Sequence, residues 1–141
     1  MVFSLGELDC RYRDSFMGYL QANPDRDMAA LIDSLVDGYL DQALAWSAER
    51  SLDASFMIPP APNVKLRQIP SYDRPMFLEI VQRYNEKLAA AAATRGCRVV
   101  DLHAVTYDLK DSDKRKVYLD GNHVLPAAVL AAFERLAAAE A

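Results

Sequence analysis

Near the carboxyl end of the chain, VYLDGNHVLP sets Asp120 and His123 on a glycine-bearing turn between two apolar runs. A carboxylate that close can accept a hydrogen bond from one imidazole nitrogen and fix the tautomer. The other nitrogen is then left as a general base near neutral pH. The same residues also make an ordinary turn, with Asp120 and Gly121 bending the chain and His123 a surface or half-buried side chain. The only other histidine, His103, follows an apolar run with no carboxylate at matching spacing, and it reads as structural.

At the opposite end, VFSL runs into the polar stretch GELDCRYRD. Gly6 permits a close approach or an unusual backbone angle, and backbone donors in a turn from Gly6 through Glu7 to Asp9 can stabilise an oxyanion. Arg11 and Arg13 either contact an anionic substrate group or belong to a solvated face. Cys10 and Cys97 have no metal-type spacing and define no disulfide framework, so both read as free thiols, Cys97 within a buried strand. Two distant histidines without clustered thiols predict no metal site. No strand is followed by a phosphate-cradling glycine loop, and no cofactor is expected.

The elements that must position these residues alternate regularly. Val2 to Leu5 is a short apolar run ended by Gly6, a buried strand delivering the GELD loop. Asn23 followed by Pro24 reads as the start of a helix, and Met28, Leu31, Ile32, Leu35, Val36, Tyr39 and Leu40 carry its stripe to about Arg50. ASFMIPP reads as a second strand, terminated by Pro59 and Pro60, and Ala61 to Tyr72 as a long loop. A second amphipathic helix starts at about Asp73, with Met76, Phe77, Ile80, Val81, Tyr84 and Leu88 on one face and Gly96 as its stop. CRVVDL is the third strand, DLKDSDKRK a solvated surface loop, and Pro126 opens an alanine-rich final helix. Strands alternating with helices predict a parallel sheet covered by helices, with ligands bound beyond the carboxyl ends of the strands.

Composition bounds the function. With 141 residues, 52% of them hydrophobic, a single domain over residues 1–141 can bury a core. A net charge of -4 offers no positive field for phosphate backbones or anionic bilayers, so neither nucleic acid nor a membrane surface is an expected partner. The longest uniformly apolar run, LAAAAA from Leu88 to Ala93, is far below the roughly 20 residues of a membrane span. The N-terminal stretch lacks a basic segment ahead of a long apolar one, which predicts a cytoplasmic protein.

Several of these stretches occur together in one known family. VFSLGELD resembles the strand-plus-G-x-N-D block of the SGNH, or GDSL-type, esterase and acylhydrolase superfamily. YLDGNHVLPAAV resembles its last block, the D-x-x-H that supplies a catalytic aspartate and histidine. FMIPP, the long helix and RYNEKLAAAAATRGCRVVDL fall between them in the family's order, so the resemblance covers nearly the whole chain. The GELDCR variant resembles a bacterial subgroup associated with modification of surface polysaccharides.

The resemblance implies a three-layer α/β/α fold with a parallel, flavodoxin-like sheet, matching the C-terminal part of the family domain with about three strands. It implies ester or O-acyl hydrolysis of a small ester or an acylated glycan, with His123 as base and Asp120 orienting it. Gly6, Glu7, Asp9 and Arg11 would lie on the oxyanion and substrate loop. Leu8 stands where that block carries an asparagine, so one oxyanion donor is replaced by a side chain without one. The family's G-D-S nucleophile block and second glycine block have no counterpart in this chain. Ser15, in RDSF, follows an aspartate as the family serine does, but it lies on the wrong side of GELD. The nucleophile is therefore unassigned, and the other reading is a catalytically inactive member serving as a binding or assembly module. In either case the strand at Val2 to Leu5 would have a bare edge, which predicts pairing with a second copy of the chain or with a preceding segment.

Overall fold

The three apolar runs become three parallel strands in a computed structural model, which describes residues 1–4, 12, 15–62, 69–107, 109, 111–118 and 124–139. The strands β1 (Val2–Ser4), β2 (Ser55–Ile58) and β3 (Arg98–Asp101) form one sheet in the order β1-β2-β3, with Phe3 beside Phe56 and Phe56 beside Val99. Alternation along β2 decides which side chain meets which layer. Phe56 and Ile58 face the larger core, built with α1 (Phe16–Ala22), α2 (Met28–Ala48) and α3 (Arg74–Thr94). Met57 and Val100 face the opposite layer, where α6 (Pro126–Ala139) packs through Ala132, Val129 and Phe133. The result is a three-layer α/β/α fold around a three-stranded parallel sheet. No helix among the described residues is long and apolar enough to cross a membrane. β1 lies at one edge of the sheet, with Val2 and Ser4 exposed.

The long helix begins later than Asn23-Pro24 suggests. Asp27 is its N-cap, the side chain accepting a hydrogen bond from the Ala30 amide at 3.0 Å. Asn23 instead closes α1, its amide donating to the Tyr19 carbonyl at 2.9 Å. On the exposed side of the α2–α3 seam, Lys87 reaches Asp33 and Asp37 at 3.6 and 2.9 Å, and Arg95 reaches Asp37 and Asp41 at 3.0 Å each. Hydrogen bonding to Lys87 holds the Asp37 carboxyl below its ordinary range. Gly96 ends α3 at a positive φ of 70°, a conformation that disfavours any side chain.

Three further stretches differ from what the sequence predicts. DLKDSDKRK does not run as a loop throughout, because Asp111–Val117 forms α5, supported by an i,i+3 pair of Lys116 with Asp113 at 3.1 Å. Cys97 precedes β3 and is half-buried, and its thiol lies 3.7 Å from the Arg95 carbonyl. Met76 is 39% exposed and stands outside the core stripe of α3, which begins instead at Phe77.

Candidate functional site

The short helix α4 (Leu102–Thr106) follows β3 without a break because Asp101, the last strand residue, also caps it: the carboxylate accepts from the Ala104 amide at 2.8 Å. That cap fixes two things at the carboxyl edge of the sheet. It turns Thr106 into the interior, and it brings His103 and Tyr107 together with ring centroids 5.0 Å apart.

Thr106 is fully buried and serves as a junction. Its hydroxyl accepts from the Ala61 amide at 2.8 Å and donates to the Leu102 carbonyl at 2.7 Å. The Tyr118 hydroxyl donates to the Ala61 carbonyl at 2.5 Å, so both backbone groups of Ala61, three residues past β2, are held by side chains from beyond β3. Burial pushes the Tyr118 phenol up, and the neighbouring Thr106 hydroxyl partly opposes this. Tyr118 also forms an antiparallel bridge with Val124, and the Leu125 amide donates to the Val117 carbonyl at 2.7 Å. The two flanks of residues 119–123 are therefore closed on each other and tied to the ends of β2 and β3.

A second anchor belongs to the stretch after β1. The Tyr12 hydroxyl donates to the Asp73 carboxylate at 2.6 Å and its ring meets Phe77 edge-on, 6.3 Å between centroids. Gln21 donates to the other Asp73 oxygen at 3.1 Å. Asp73 is the N-cap of α3, so Tyr12 is fastened at the same carboxyl end of the sheet.

Asp120 and His123, and Gly6, Glu7, Leu8, Asp9 and Arg11, lie outside the described residues, as do Cys10 and Arg13. Ser15 is described. It is the N-cap of α1, its hydroxyl accepting from the Met17 amide at 3.3 Å.

The same edge holds a cavity of about 510 Å³ that the sequence reading did not single out. One stripe of α3 forms its long wall: Leu78, Val81, Gln82, Asn85, Glu86 and Ala89, spaced three and four apart. Ile58 and Asp101, register partners at the ends of β2 and β3, close one side, and His103, Tyr107 and Pro62 another. Gln82 donates to Glu86 at 2.8 Å. Burial lowers the pKa of His103, with the Asp101 carboxylate pulling the other way, so the ring is neutral near pH 7. Asn85 differs from its neighbours: it is 7% exposed, and neither its amide nitrogen nor its amide oxygen has a hydrogen-bond partner among the described residues. No three metal-ligating side chains cluster among the described residues. The sequence offers no carboxylate to His103 at the D-x-x-H spacing; in the fold the nearby charge is Asp101, two residues before it and engaged as the cap of α4.

No protein-family model matches the chain, and no curated protein matches its sequence.

Proposed function

We propose that the chain carries the acid–base arm of an SGNH-type hydrolase acting on an ester or O-acyl group of a small molecule or glycan. His123 takes a proton from an attacking serine hydroxyl whose oxygen bonds to the acyl carbon. Asp120 holds the imidazolium and its tautomer. The tetrahedral intermediate then collapses, the alcohol leaves with the proton from His123, and water repeats the sequence to release the acid. The observation carrying this reading is the D-x-x-H of YLDGNHVLP, in a segment whose flanking residues Tyr118 and Val124 are paired and tied to the carboxyl edge of the sheet. That edge is where an open parallel sheet carries its site. The serine is unassigned among those of this chain, Ser15 being engaged as a helix cap.

The test is saturable hydrolysis of p-nitrophenyl acetate by the 141-residue chain beside His123→Ala and Ser15→Ala. A rate above background that falls at least tenfold in His123→Ala and is unchanged in Ser15→Ala supports the reading. Equal rates for the wild type and His123→Ala refute it. The second reading, a non-catalytic binding module, then takes its place. It is favoured by Leu8, which offers no oxyanion donor, and by the cavity beside Asn85.

A further inference from the structure

An asparagine in the middle of a helix, with its amide buried and unpartnered, needs an explanation. Both amide atoms of Asn85 are buried without a hydrogen-bond partner among the described residues, yet the residue lines a cavity of about 510 Å³. A buried amide deprived of hydrogen bonds is costly, and such groups are uncommon in folded proteins. The Asn85 side chain borders the cavity, and its soft terminal torsion lets a bound partner select the orientation of the amide. What would satisfy it is a group offering an acceptor to Nδ2 and a donor to Oδ1 side by side.

We infer that this cavity binds a small, uncharged molecule bearing a carboxamide, whose N–H and C=O pair reciprocally with the Asn85 amide. The rest of the lining fits that class. Ile58 and Val81 are almost fully buried and give an apolar wall to the body of the ligand. His103 and Tyr107, rings inclined at 31°, form an aromatic edge suited to a flat ring. The only formally charged groups among the described lining residues are the carboxylates of Glu86 and Asp101, so an anion is repelled. The volume is within the usual range of small-molecule sites. This inference rests on Asn85 and its cavity, not on Asp120 or His123, and it holds whether or not the chain hydrolyses esters.

Three probes of nearly one shape separate the possibilities: benzamide, which offers donor and acceptor; benzoate, an anion that only accepts; and benzamidine, a cation that only donates. Each is titrated into the 15N-labelled 141-residue chain, reading the Asn85 side-chain amide and the α3 and α4 backbone signals. The expected result is saturable binding of benzamide at about millimolar Kd, with the Asn85 side-chain signals shifted. Benzoate should not bind, and Asn85→Leu should weaken benzamide roughly tenfold or more while leaving benzamidine within about twofold. Ala89→Phe, which fills the cavity from a half-buried position and leaves Asn85 in place, should abolish benzamide binding. Benzamide binding unchanged in Asn85→Leu, binding of benzoate as tight as benzamide, binding of benzamidine alone, or no response to any probe would each overturn the inference. Ester hydrolysis is measured on the same variants. Asn85→Leu should not change it, so failure of the cavity and failure of the hydrolase reading are told apart.

Discussion

Replacing Asn85 by leucine should make the protein more stable. The amide is buried and its nitrogen and oxygen have no partner among the described residues, so the folded state bears a desolvation penalty of about 1–3 kcal/mol. Leucine has a similar shape, its neighbours Ile58, Val81 and Ala89 are apolar, and it favours a helix interior over asparagine by about 0.5 kcal/mol. The sum is a gain of roughly 1.5–3.5 kcal/mol. For 141 residues the unfolding entropy is about 0.3 kcal/mol/K, so the melting temperature should rise by about 5–12 °C. Circular dichroism melts and urea titrations of both proteins measure this, and the urea slope should stay the same. Asn85→Ala removes the same amide but leaves space behind, and it should gain clearly less than leucine. A melting temperature for Asn85→Leu equal to or below that of the wild type would refute the reasoning, because it would mean that the amide is satisfied in solution. A stabilising substitution on a cavity wall that also weakens benzamide binding would be the expected conflict between stability and binding.

Other consequences can be measured in parallel. Thr106→Val keeps the shape of the side chain but orphans the buried Ala61 amide, costing about 1–3 kcal/mol and lowering the melting temperature by about 3–10 °C; an unchanged melt would argue against the junction. His103 has its pKa held below 6.5 by burial, so as pH falls the unfolded chain takes up this proton first. Its contribution is fully present above the unfolded pKa and is lost as pH falls through the folded one, so stability declines on acidification. Urea midpoints between about pH 7.5 and 5 should therefore fall less steeply in His103→Gln, and identical slopes would count against a buried neutral ring. Asp37→Asn releases Lys87 and Arg95 from their shared partner; its melting temperature should fall slightly at low salt, with the difference from wild type shrinking at about 0.5 M NaCl.

Much of the architecture was legible because it rests on long patterns. The α2 and α3 helices each run for 21 residues, long enough for one consistent buried face, although Leu35 of the expected α2 stripe is exposed. The three strands are legible as apolar runs, the first stopped by Gly6 and the second by Pro59 and Pro60. What escaped notice is short or ambiguous. Asn23 and Asp27 are both good caps, and only the fold assigns Asn23 to the end of α1 and Asp27 to the start of α2. α4 has five residues, too few for periodicity, and its cap Asp101 is also the last residue of a strand. α5 has no apolar stripe and reads as a solvated charge run, yet its i,i+3 pair suits a helix. Met76 precedes Phe77 by one residue, and about 100° of rotation on a helix is enough to take it from core to surface. The cavity wall was hidden for a related reason: residues 78, 81, 82, 85, 86 and 89 form a second helical stripe of mixed polarity beside the core stripe. The polar residues of that second stripe are Gln82, Asn85 and Glu86. The stretches that carry the family resemblance, GELDCR and LDGNH, coincide with residues outside the described set, so the fold bears on them only through their flanks.

Those flanks link the two proposals physically while leaving them separable. Ala61 is gripped through its carbonyl by Tyr118, which borders the D-x-x-H segment, and through its amide by Thr106, on the helix that presents His103. The next residue, Pro62, is part of the cavity wall. A ligand filling the cavity therefore bears on the peptide that orients Tyr118, and its occupancy can influence the segment carrying Asp120 and His123. Influence of this kind requires the ligand to favour one arrangement of Ala61–Pro62 over another; tight binding alone would not produce it. If benzamide changes the esterase rate, Thr106→Val should reduce that change more than it reduces benzamide affinity, because the junction transmits the effect and the Asn85 amide supplies the binding. If hydrolysis and binding instead vary independently across Asn85→Leu, His123→Ala and Thr106→Val, then the carboxyl edge of this sheet holds two neighbouring sites that share a scaffold without sharing an equilibrium.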